Sequence, residues 1–176
     1  MRQVQRAWRE AKRVLSEANT KRLPVDVHAL AKRHAVIWEK EMDDGISGML
    51  IPLAQPVRGK YWAIVVNESH AEVRQRFTIA HEFGHLLLHG FTTPHADRGF
   101  KVRFRSTRSS DGTIAEEIEA NQFAAELLMP RDLLLNRLTG MEMDFTDADD
   151  DVLSDIAAEF EVSKQALSIR LSNLLI

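Results

Sequence analysis

No cysteine occurs among the 176 residues, which excludes a disulfide framework and any metal site built on thiolates. Long apolar runs are missing too. None approaches the roughly 20 residues that cross a bilayer, so no membrane partner is expected. The opening residues, MRQVQRAWREAKRVL, lack the apolar centre of a secretory signal, and the expected compartment is the cytoplasm. Neither sign of charge dominates, the net value being −3. The balance is uneven along the chain, basic over residues 1–40 and acidic over 142–151. Within it, Asp147 to Asp151 has neither the glycine nor the terminal glutamate of an EF-hand loop and is expected to be a solvated loop.

The length suits one domain over residues 1–176 with a real core, and the 44% hydrophobic content is ordinary for a globular protein. Val4, Trp8, Ala11, Leu15 and Ala18 recur at helical spacing, so the early arginines read as the wet side of an amphipathic helix rather than a nucleic-acid arm. Pro24 opens a second short helix bearing His28 and His34, both expected at the surface. Residues 36–40 suggest a strand. Residues 46–53 and 61–67 read as an antiparallel hairpin around the turn-forming 55–59. Helices are expected over 76–89, 114–129 and, as a helix-turn-helix-like pair, after Val152. Together these give an α+β fold: N-terminal helices in 1–40, a core in 45–130 and C-terminal helices in 131–176.

Residues 76–90 read RFTIAHEFGHLLLHG. His81 and His85, four apart, project from one helix face about 6 Å apart along the axis. That is the HExxH arrangement by which zinc peptidases hold a metal. Glu82 is turned about a quarter of the way around the helix, better placed to take a proton from water at the metal than to bind the metal. Gly84 costs roughly 1 kcal/mol of helix stability against alanine, which implies a close neighbour. His89 continues the stripe but lies about 12 Å from His81, too far to share the ion, and is expected to interact with the helix dipole. A metzincin would need glycine at 88 and histidine at 91. Leu88 and Phe91 exclude that class.

Two histidines need a third protein ligand. Residues 114–129, IAEEIEANQFAAELLM, place Glu116, Glu119, Phe123 and Glu126 on one stripe, and helical spacing alone does not choose between Glu116 and Glu119. Between the two helices, Phe100, Val102 and Phe104 alternate with Lys101, Arg103 and Arg105, as in an edge strand. Such a strand either pairs with an extended substrate or uses its cations to deter aggregation. Tyr61 and His95 are the candidate donors to an oxyanion. In the last helix only Lys164 and Arg170 offer cations, and Glu161 stands where a helix-turn-helix would have its turn glycine. Direct nucleic-acid binding is therefore not expected.

The two long motifs, RFTIAHEFGHLLLH followed by EEIEANQFAAELLMP, resemble the ImmA/IrrE family of metallopeptidase-like proteins. Gly45-Ile46-Ser47-Gly48, Ile64-Val65-Val66-Asn67 and Phe104-Arg105 match that family's lead-in and connection, so the resemblance covers roughly residues 25–130. It implies a compact zincin-like fold, with His81, His85 and Glu119 as ligands of Zn²⁺ (or Mn²⁺ in its place) and Glu82 as general base. It also implies a zinc-dependent endopeptidase whose substrate is a helix-turn-helix transcriptional repressor in a stress, mobile-element or toxin–antitoxin module. Neither an amino-terminal repressor-like domain nor a carboxy-terminal sensor domain is expected. The alternative is a non-catalytic metal-containing module that binds a repressor or DNA, against which an intact Glu82 weighs.

Overall fold

The sheet and the metal-motif helix account for most of the architecture. The structure, a computed structural model, describes residues 2–90, 95–97, 111–139 and 148–174, with side chains from 5–90, 114–139 and 150–174. Helices α1 (Arg2–Glu17) and α2 (Val27–Ala31) lead to β1 (Val36–Lys40), β2 (Gly48–Val57), β3 (Lys60–Asn67) and α3 (Glu72–His89). A short β4 (His95–Asp97) precedes α4 (Asp111–Leu128), α5 (Arg131–Leu138), α6 (Ala148–Glu159) and α7 (Lys164–Leu174). The α+β class and the zincin-like arrangement stand. Residues 148–151, expected as part of a loop, instead begin α6, where Asp150 and Asp151 suit the positive end of the helix dipole, and 142–147 lie outside the described residues. The expected strand at 100–105 lies outside the described residues.

The four strands are ordered β1-β3-β2-β4, and the sheet is mixed rather than antiparallel throughout. β2 and β3 form the expected hairpin, but its turn is tighter than residues 55–59: Val57 pairs with Lys60 across Arg58-Gly59, both at positive φ. The register slips between Pro52 and Val57, where Pro52 and Pro56 cannot donate ladder hydrogen bonds. β1 runs parallel to β3, Val36 opposite Ala63 through Lys40 opposite Asn67. A parallel neighbour needs a crossover, and buried Asn67 holds it. Its Nδ2 donates to the carbonyls of Met42, Asp43 and Ile46 at 3.0–3.3 Å, and its Oδ1 accepts from the amides of Met42 and Ser69.

Leu50, Ile64 and Val66 present the inner face of the sheet to Ile79, Ala80 and Phe83 of α3. α4 covers the other side of α3, and α1 packs chiefly on α4 through Ala7, Ala11 and Val14. The basic N-terminal helix is thus an outer layer of the core, with Arg9 and Arg13 on its wet side. α6 and α7 add Ile156, Phe160, Leu167 and Leu171 to the same core. Arg170, counted in the sequence as a surface cation, is 1% exposed. It pairs with buried Glu126 of α4, and its guanidinium lies 6.0 Å from the Trp8 ring.

Candidate metal centre

Close approach of three elements builds the site. On β2, a methyl group on Gly48 would overlap Thr78 Cγ2 and come within 2.9 Å of Val65 O, and Glu82 Cγ lies 3.7 Å from the same point. The bare glycine lets α3 sit low on the sheet. On α3 itself, a methyl group on Gly84 would stand 2.9 Å from Phe123 Cδ1 and 3.3 Å from Ala120 Cα. The close neighbour inferred from Gly84 is α4. Gly90, at φ 55, ends α3 in the left-handed conformation.

The contact brings Glu117 of α4 against the histidine pair. His81 Nε2 lies 3.0 Å from His85 Nε2, and each lies 3.4 Å from a Glu117 carboxylate oxygen. One donor atom from each of the three residues falls within 4.8 Å of the others. Ligands held at about 2.0–2.1 Å in a tetrahedron stand about 3.3–3.4 Å apart, so these separations fit a zinc-sized ion with one position open. His81 and His85 are 3% and 0% exposed. Glu82 is 0% exposed, on the same turn as His81 and facing the β2 side. Across α4, Asn121 Oδ1 lies 2.9 Å from His81 Nδ1.

Glu119 is not brought to the histidine pair. Two residues along a helix is a rotation of about 200°, so Glu117 and Glu119 leave α4 on different sides. Glu119 Oε2 stands 3.4 Å from Arg6 Nη1 of α1 and 3.6 Å from His89 Nδ1, and Arg6 also donates to the Leu88 carbonyl. The stripe of Glu119 and Glu126 is real, but it faces Arg6 and Arg170. Glu116 contributes its backbone carbonyl, which accepts from His89 Nε2 at 3.1 Å. Burial pushes the His89 imidazole below its ordinary range, against the carboxylates of Glu116 and Glu119, which raise it. The signal that points to Glu117 is its spacing of four from Asn121, matching the spacing of four between the histidines.

The remaining sequence candidates separate by position. Tyr61 is 62% exposed and five residues along β3 from Val66, the partner of Gly48. That is roughly 17 Å of strand, too far for a donor at the site. His95 opens β4, which lies beside β2 with His95 opposite Leu50 and Asp97 opposite Gly48. Among the described residues β4 is thus the outer neighbour of β2, earlier in the chain than residues 100–105. His28 is half-buried, and exposed His34 sets its ring 5.2 Å from that of Phe83.

An α+β fold with HExxH on a buried helix and a carboxylate from the next helix makes this a candidate zincin-like metal site. The chain belongs to the IrrE N-terminal-like domain family, peptidase family M78, whose sequence model matches residues 46–172. It is also 36% identical over 102 residues to "Uncharacterized immunity region protein 2" of Bacillus phage phi105, an alignment that takes in 58% of this chain. The chain spans only 56% of that protein's length.

Proposed function

We propose that this chain is a zinc-dependent endopeptidase in which His81, His85 and Glu117 hold the metal and Glu82 is the general base. The convergence of the two histidines and Glu117 at donor separations of 3.0–3.4 Å carries the reading. Membership of a peptidase family supports it. A bound zinc-class ion, or manganese in its place, would acidify water and polarise a peptide carbonyl. Glu82 accepts the proton that the attacking water loses and returns it to the departing amine, a role that suits a buried carboxylate beside the ligands but outside their set. β4, next to β2 in the sheet, is where an extended substrate would add a strand.

The substrate we propose is a helix-turn-helix repressor. The family resemblance supports this, and the phage relative is named for an immunity region. Docking of this chain itself on DNA is disfavoured at α7, where Lys164 pairs with Asp150 at 2.7 Å and Arg170 is buried. The test is co-expression with the candidate repressor, reading its length on a gel and the transcription it controls. Glu82→Gln keeps the side-chain shape but cannot take up a proton at neutral pH, and loss of such a group costs typically about 10²–10⁴-fold in rate. The variant should load metal, bind the repressor and leave it intact. Full relief of repression by Glu82→Gln, with the repressor uncut in both proteins, would establish a binding module instead.

A further inference from the structure

Two pairs spaced by four face each other across the α3–α4 contact, His81 with His85 and Glu117 with Asn121. An amide oxygen can only accept a hydrogen bond. The 2.9 Å contact between Asn121 Oδ1 and His81 Nδ1 therefore requires the proton to sit on Nδ1. A neutral imidazole carries one ring proton, so His81 Nε2 keeps its lone pair. That same Nε2 is the atom 3.0 Å from His85 Nε2 and 3.4 Å from Glu117 Oε2.

We infer that Asn121 is a positioning residue for the metal site, holding His81 in the Nδ1–H tautomer and the ring orientation that a zinc-class ion needs. The inference rests on the metal reading above. Which imidazole nitrogen binds a metal is set by the hydrogen bond the other one makes. With the proton fixed on Nδ1, the lone pair of Nε2 is left on the side of His85 and Glu117. An asparagine does this without adding another negative charge beside Glu82 and Glu117. It sits one turn from Glu117 on the same helix, so a single element supplies both a ligand and the group that aligns a second one.

Zn²⁺ affinity, measured on the full chain by chelator competition, tests the idea in wild type, Asn121→Leu and Asn121→Asp. The leucine removes the acceptor at similar volume and should weaken binding about 10–100-fold. The aspartate keeps an acceptor and should stay near wild type. Long-range ¹H–¹⁵N spectra of metal-free wild type, at about pH 8 where imidazoles are ordinarily neutral, should show His81 as the Nδ1–H tautomer. Leucine-variant affinity equal to wild type, or an Nε2–H tautomer in wild type, overturns the proposal alone. If Asn121→Leu does not fold, the wild-type tautomer and the aspartate variant decide. Failure of wild type to take up zinc overturns the metal reading together with this one.

Discussion

Replacing Gly84 by alanine adds one methyl group at the tightest point between α3 and α4. Helix propensity alone favours the change by roughly 1 kcal/mol. Packing opposes it, because the new carbon would stand 2.9 Å from Phe123 Cδ1, 3.2 Å from Phe123 Cγ and 3.3 Å from Ala120 Cα. The Phe123 ring has little room to turn, being fully buried and set edge-on against Phe83 at 5.6 Å between centroids. Ala120 Cα is backbone and can yield only if α4 moves. Relief thus requires α4 to withdraw by some tenths of an ångström, and overpacking of this kind costs about 1–3 kcal/mol. The net loss of stability is expected to be small, about 0–2 kcal/mol. The effect on metal should be larger, since Glu117 rides on the helix that withdraws and ligand geometry must hold to about 0.5 Å. Thermal unfolding of metal-free protein and zinc affinity by chelator competition measure the two separately. A Gly84→Ala protein that is more stable than wild type and binds zinc as tightly would refute the claim that α3–α4 proximity sets the site.

Glu117→Ala should lose the metal while Glu119→Ala keeps it, as elemental analysis of the purified proteins would show; the reverse would restore the ligand set implied by resemblance. Asn67→Ala should lower stability in urea by about 2–4 kcal/mol, from several hydrogen bonds and the buried carbonyls left behind; a loss below about 1 kcal/mol would mean the crossover is held by other contacts. His28 has its pKa lowered from 6.5, first by burial and then by Lys32. The unfolded chain therefore takes up this proton first as the pH falls, and the contribution to stability, full above about 6.5, is lost as the pH drops toward the folded value. His28→Gln should flatten the decline in unfolding free energy between about pH 7 and 5, and an unchanged curve would show that His28 does not contribute.

The HExxH helix was legible because two independent patterns agree on it, the spacing of four between ligands and an apolar surround too broad for a surface helix. The hairpin was legible for a similar reason, alternation on both sides of a turn. The face of α4 was not. Ala120, Phe123, Ala124, Leu127 and Leu128 are all buried, because α4 is enclosed by α3 on one side and α1 on another, so polarity does not single out the metal side. Glu119 looked like a ligand because its partner in the fold, Arg6, lies 113 residues away. The parallel pairing of β1 was hidden likewise, since local periodicity identifies a strand but not its neighbour.

Arg76 makes the peptidase-like segment inseparable from what flanks it. The side chain leaves the first half of α3 and is nearly buried, donating to the Val25 carbonyl at 2.9 Å and the Glu161 carbonyl at 3.3 Å, with the Glu161 carboxylate 3.1 Å away. Glu161 meets it from the turn between α6 and α7 at φ 50, where a glycine would fit the backbone better but leave the cation without its carboxylate. Excising residues 45–130 as a minimal catalytic fragment would strip away both partners. It would also uncover the core that these segments complete, to which Val25, Val27, Ile156 and Phe160 belong. The smallest piece able to present the metal helix in its native setting therefore begins before Val25 and ends beyond Glu161, so the flanking helices are part of the unit that would have to be transplanted.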